Sequence, residues 1–404
     1  MRILLTANAC YDPPKGGSTL SNLAWLRQLA AGGHICRAVV PTPVGDDVPR
    51  ERVIDGIAVR SVPHLLRQPA IVTAEIQSFA PDWVLVSSED VAHVLLRAAM
   101  HSAPRRIVYL AHTPQFMPFG PESWHRDETS TAALRRAAGL VVIGTHMAGY
   151  VRDHLGREAA VFHPPIYGRP PYRQFGRFGS GGVLTVNPCA VKGIAIFLAL
   201  ADAFPEVEFT ALRGWGTTAQ DRTELARRPN TRLLQSVANV EPVLAEARLL
   251  LMPSIWYEGF GLIAMEAMLR GLPVIASDSG GLAEAKRGTG YVIPVRPVER
   301  YEYVFDDTGM PRAIMPPQEI GPWRAALQRL LTDESEYWAE AQCSRAAAIE
   351  FVGRIDPGAF ERYLLSLPAP QPNSNAGRLS ERLGHLDAEQ RARLLEQLRA
   401  RKDR

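Results

Sequence analysis

Two glutamates stand eight positions apart in the stretch SIWYEGFGLIAMEAMLRGLPVIAS, residues 254–277, with Gly259 and Gly261 between them. A strand-like run, 249–252, precedes them, and apolar spacing from Leu262 to about Leu269 predicts a helix that Gly271 and Pro273 end. Free amides at a helix start bind phosphate, and glycines let a ligand come close to the backbone. Glu258 then sits just ahead of those amides, while Glu266 lies about two turns further in, deeper in the same cleft. Two acids at two depths can hold two hydroxyl-bearing parts of one ligand. The plainer alternative is that Glu258 only favours a helix start and Glu266 is solvated. Residues 259–264, Gly-Phe-Gly-Leu-Ile-Ala, also fit the dinucleotide pattern G-x-G-x-x-A. In that fingerprint the first glycine ends the strand directly, whereas here residues 253–258 intervene.

Three more loops carry candidate chemistry. In VNPCAVKGIAIF a helix is predicted to begin near Lys192, after the strand 183–186. A cation there opposes the helix dipole by about 0.3–1 kcal/mol, so an anionic ligand is expected beside it. Arg213 follows the strand 208–212 and is a second candidate cation. In TANACYDPPKGGSTLSN, Gly16 and Gly17 lead into a helix capped by Ser18 or Thr19, a second anion-ready helix start. In YLAHTPQFMPFGPESWH, His112 follows the strand 107–110, and Phe116, Phe119 and Trp124 could cover a sugar or an apolar acceptor.

These loops need elements to hold them. Strand-like runs at 3–6, 35–40, 57–62, 83–86, 107–110, 140–143 and 160–163 alternate with helical patterns, and a second series follows at 183–186, 208–212, 232–234, 249–252, 273–276 and 291–293. That is too many strands for one ordinary sheet, so an α/β architecture of two doubly wound domains is expected. The stretch HPPIYGRPPYRQFGRFGSGG, with four prolines and five glycines, reads as the break between them. The expected division is 1–165, an interdomain linker 166–182, a second domain 183–350, a crossover helix region 351–367, a linker 368–377 and a helical tail 378–404.

Composition narrows the function. The chain has 404 residues, 46% hydrophobic, 22% charged, with a net charge of +3. Residues 377–404 hold eight basic against five acidic side chains, so the body before them is neutral and no nucleic-acid partner is implied. Four scattered cysteines suggest neither a disulfide framework nor a zinc site, and no apolar run approaches a membrane span. A cytoplasmic setting is expected.

The segment EGFGLIAMEAM followed by GLPVIASDSGGLAE resembles the retaining glycosyltransferases of the GT-B fold, the large family 4 or "group 1". The resemblance implies two Rossmann-like domains facing across a cleft, a nucleoside-diphosphate sugar as co-substrate, a hydroxyl-bearing acceptor, and no cofactor or metal. Carried over residue by residue, Glu258 and His112 lie near the transferred sugar, and Lys192 contacts the donor diphosphate. Glu266 then binds the ribose. Gly16, Gly17, Gly259, Phe260, Gly261 and Leu262 line the donor. The family has an arginine where this chain has Asn187, and Arg213 is the candidate replacement. The last body helix, near 360–367, is expected to cross back to the first domain as in that family. No D-x-D triplet occurs. The tail pattern LDAEQRARLLEQLRAR resembles segments beside domains of modular peptide and polyketide synthases, which implies a synthase or carrier-protein partner and natural-product biosynthesis. Two rival readings remain at this level: a non-catalytic docking module of the same fold, and a nucleotide-sugar oxidoreductase using residues 259–264.

Overall fold

The runs ILLT, VLVS and VLTV have no polar face, and strands of that kind are stable only when both sides are covered. The computed structural model, which describes residues 1–14 and 16–368, places all three at sheet centres. Met1–Ser366 form one compact unit. The first sheet contains β1 (Arg2–Thr6), β2 (Ile35–Pro41), β3 (Arg50–Ile54), β4 (Ile57–Val62), β5 (Trp83–Ser87), β6 (Ile107–Ala111), β7 (Gly139–Val142) and β8 (Ala160–Val161). Its order is β3-β4-β2-β1-β5-β6-β7-β8, parallel except where β3 meets β4. The second sheet contains β9 (Gly182–Val186), β10 (Phe209–Leu212), β11 (Thr231–Leu234), β12 (Ala247–Met252), β13 (Val274–Ser277) and β14 (Val292–Ile293). Its order, β11-β10-β9-β12-β13-β14, is parallel throughout.

Both orders contain a switch point, where the winding leaves one side of the starting strand and resumes on the other. It falls between β1 and β5 in the first sheet and between β9 and β12 in the second. Ligands of such sheets bind in the crevice beyond the carboxyl ends of the strands at that point. The loops that matter are therefore those following β1, β5, β9 and β12.

Two hairpins escape the sequence pattern. β3 carries the run RERVI and is largely exposed, so it has no apolar face to betray it. Its turn is legible: Asp55 and Gly56 both take positive φ, 49° and 81°, as the two-residue turn of a tight hairpin requires. β15 (Arg300–Phe305) and β16 (Pro311–Ile314) form a separate antiparallel pair, likewise mostly exposed. A third difference is the start of the first helix, Gly17–Ala31, whose cap is Gly16 at φ 92° with no side-chain bond. Ser18 and Thr19 lie inside the first turn rather than capping it.

The helix Ala359–Ser366 returns to the first sheet's side of the molecule. Its Phe360 packs 5.1 Å from the Trp25 ring and 5.6 Å from Phe162, and Glu361 meets His34 at 2.7 Å. Beneath the second sheet the helix Glu334–Gly353 packs across the helix Leu262–Leu269. A buried ion pair tethers it: the Lys286 ammonium, fully out of solvent, donates to Glu340 and to the Val274 carbonyl, each at 2.8 Å. Burial pushes the lysine pKa down and the glutamate pKa up, so desolvation opposes the pair and its value is positional. Removing one partner strands the other charge, and Glu340→Ala is expected to cost about 3–5 kcal/mol in urea unfolding. A loss below about 1 kcal/mol would show that Lys286 finds water or another acceptor.

Candidate active site

Because β9 and β12 are neighbours, the loops leaving their carboxyl ends run side by side. The Val191 carbonyl accepts the amides of both Ile255 and Trp256, each at 2.8 Å, which fixes one loop to the other. Gly193 permits the approach, since a β-carbon there would lie 2.0 Å from the Pro253 carbonyl oxygen. The joined loops present Lys192 and Glu258. The Lys192 ammonium lies 2.5 Å from Glu258 Oε1, and the Ser254 hydroxyl donates to the same oxygen at 2.7 Å. The Trp256 ring sits 5.1 Å from the ammonium. The helix expected to begin near Lys192 instead begins at Ile194, after Gly193, and Lys192 ends a single 3-10 turn, Ala190–Lys192.

Two helix starts, one from each half, converge beside this pair. Gly261, at φ 113°, caps the helix Leu262–Leu269; Ala264 donates to the Gly261 carbonyl at 3.1 Å, and the Leu262 and Ile263 amides of the first turn are left for a ligand. A β-carbon on Gly17 would stand 2.9 Å from Leu262 Cδ1, so the start of the helix Gly17–Ala31 abuts it directly. A β-carbon on Gly259 would fall 2.0 Å from the His112 carbonyl oxygen. The structure thus brings Lys192 to Glu258, His112 to Gly259 and Gly17 to Leu262, with Gly16 and Gly261 as the two helix caps. Phe260 differs, because its ring is buried and stacked 5.5 Å from Phe351 with His163 at 4.8 Å, which leaves only its backbone for a ligand.

His112 belongs to a buried network that fixes its tautomer. Asn22 donates its amide hydrogens to Tyr11 and Ser87, each at 2.8 Å, so its oxygen is the acceptor for His112 Nε2 at 2.9 Å. Nε2 therefore carries the proton and Nδ1 presents a lone pair, buried with no protein partner. Burial lowers the His112 pKa, against the charge of Glu89, which keeps the ring neutral. Of the aromatic residues expected near it, Phe116 and Trp124 meet Trp256, at 6.3 and 5.4 Å, beside Lys192. Phe119 turns away onto Tyr150.

Glu266 does not touch the Lys192–Glu258 pair. It is half-buried in surroundings shaped by Arg270, Glu241 and Tyr167, and burial, partly offset by Arg270, raises its carboxyl to about 7. Arg213 makes one long contact, 3.5 Å to Gln235, and none to Lys192 or Glu258. Asn187 occupies the place between them: at φ 59° its side-chain oxygen accepts the Gly216 amide at 2.9 Å, and Gly214 lies against it too closely for a β-carbon. It holds the loop that contains Gly214 and Gly216. Sequence reading missed Asn22, Trp256 and Glu89, the last of these in the loop after β5. The signal for Glu89 was its place at the switch point, which needs the strand order. Among the described residues no group of three or more His, Cys, Asp or Glu is arranged to hold a metal, and no helix is long and apolar enough to cross a membrane.

Known proteins bear on this geometry in two ways. No curated protein matches the chain by sequence. Similar solved structures include sucrose-phosphate synthase from Thermosynechococcus elongatus, 16% identical with a TM-score of 0.66 over 91% of this chain and 100% of that one. HepE from Anabaena, in complex with UDP and glucose, is 18% identical with a TM-score of 0.64 over 90% and 99%. The lipopolysaccharide glycosyltransferase WaaG is 16% identical with a TM-score of 0.63 over 92% and 100%. Residues 184–303 match the family model "Glycosyl transferases group 1", and over some nine-tenths of its length the chain carries the GT-B fold of these structures.

Proposed function

We propose that this chain transfers a sugar, with retention of anomeric configuration, from a nucleoside-diphosphate sugar to a hydroxyl of a second molecule. The observation that carries the reading is the convergence of Lys192 and two helix starts on one crevice between the sheets. That arrangement concentrates fixed positive charge where a diphosphate leaving group develops negative charge. The C1–O bond to the β-phosphate breaks with its electron pair going to the phosphate oxygen, and the acceptor oxygen bonds C1 on the same face. The acceptor hydroxyl proton passes to that phosphate oxygen. Charge on the leaving group is carried by the chain's own ammonium and amides, so the reading includes no metal. Glu258 orients Lys192, and both Glu258 and the neutral His112 ring stand near the transferred sugar. HepE's complex with UDP and glucose makes UDP-glucose the first donor to test.

Incubating the protein with a panel of nucleotide-sugars should release nucleoside diphosphate from one of them. Lys192→Ala should lower kcat/KM for that donor by about 10²-fold. Release from none, or a variant within about threefold of wild type, would remove the diphosphate from this crevice.

Glu266 generates a second expectation. A carboxylate holds both ribose hydroxyls only when ionised, and its carboxyl titrates at about 7 in the free protein. Below that value the protonated form dominates, so the apparent Kd for the nucleotide should weaken about tenfold from pH 8 to pH 6, following the competent fraction. Glu266→Gln should bind weakly with that titration step gone. An unchanged pH profile in the variant would assign the dependence to another group.

A further inference from the structure

Glu89 stands in the loop after β5, at the first sheet's switch point. Both of its carboxylate oxygens are buried without a hydrogen-bond partner, and among the described residues no cation pairs with it. β5 pairs with β6 so that Val86 lies opposite Tyr109, and the His112 amide donates to the Ser88 hydroxyl at 3.1 Å, which sets this loop beside both residues. Tyr109 and His112 are 3% and 7% exposed, and the Tyr109 hydroxyl and His112 Nδ1 are also without partners. Asp90 Oδ1 is a further unpartnered oxygen, although Oδ2 accepts the Leu95 amide at 2.7 Å.

The unsatisfied atoms share one character. Two oxygens of Glu89, one of Asp90 and the nitrogen of His112 are all lone pairs, and only Tyr109 can also donate. Lone pairs buried in this number are costly unless a ligand supplies hydrogens. An anionic ligand would meet Glu89 in a poorly hydrated place with no cation to offset it, whereas an ammonium brings three donors and the opposite charge. The cluster adjoins the donor end, because the His112 carbonyl lies against Gly259.

We propose that this cluster is the acceptor subsite and that Glu89 selects a polyol carrying a protonated amine over one carrying a phosphate or carboxylate. The inference rests on the transferase reading above and adds to it the class of acceptor. Sucrose-phosphate synthase, one of the similar folds, is named for a phosphorylated product, so the choice does not come with the fold.

The test is a calorimetric titration of the full chain, saturated with UDP, against three matched ligands: glucosamine, glucose and glucose 6-phosphate. Glucosamine should bind at least about tenfold more tightly than glucose, and glucose 6-phosphate most weakly, as one charge-assisted hydrogen bond provides. Glu89→Gln should erase the advantage of the amine while UDP affinity stays within about twofold. Equal binding of the three, preference for the phosphate, binding of none, or an unaltered order in the variant would each overturn the proposal. The preceding titration with UDP separates this from failure of the transferase reading, which would show as absence of nucleotide binding.

Discussion

The site exists because the two halves come into close contact at glycines. Gly259 meets the His112 carbonyl, Gly17 meets Leu262, and a β-carbon on Gly144 would lie 2.9 Å from the Gly259 carbonyl oxygen. A side chain at Gly259 or Gly144 would force the loops apart, because each faces a backbone carbonyl that cannot swing away. Glu284 reinforces the join from the second half, accepting the amides of Thr145 and His146 at 3.0 and 3.1 Å at the start of the helix Thr145–Leu155. An acid at a helix start is favoured by the dipole, so the contact both caps a helix and bridges the halves.

That closeness decides the electrostatics. Lys192 alone would be one half-buried cation at the edge of a sheet. Held by Glu258 and Ser254 at the place where two helix starts converge, it is oriented before any ligand arrives. Preorganised charge of this kind needs no rearrangement when negative charge develops, which is what separates an active crevice from a basic surface. On the other wall, the Asn22 network sets the His112 tautomer, so the first half adds a lone pair to the amides of its own helix start. A ligand bridging the two walls has to be acidic at one end and donor-rich at the other.

Much of this was legible in the residues. Buried parallel strands announce themselves as apolar runs, and the central strands of both sheets were visible for that reason. The glycines beside Glu258 and the lysine ahead of a helix likewise pointed to an anion. What stayed hidden depended on pairing or on packing. β3 is an exposed edge whose sequence carries no apolar face, and the β15–β16 pair stands apart from both large sheets, so neither follows the pattern of buried parallel strands. Phe260 sits within the most telling motif yet points into the core, because only the fold brings Phe351 over it. Glu89 follows an ordinary strand, and its lack of a cationic partner among the described residues is a property of the folded surroundings. The docking role expected of residues 378–404 lies outside the described residues.

The central claim is that the crevice recognises a diphosphate. Calorimetric titration of the full chain with each nucleoside diphosphate and its matching nucleoside isolates that group, since the base and ribose are common to both. The account predicts that one diphosphate binds about 10²-fold or more tightly than its nucleoside, as expected when an ammonium and helix-start amides each contribute charge-assisted bonds. Equal affinities, or binding of the nucleoside alone, would contradict it.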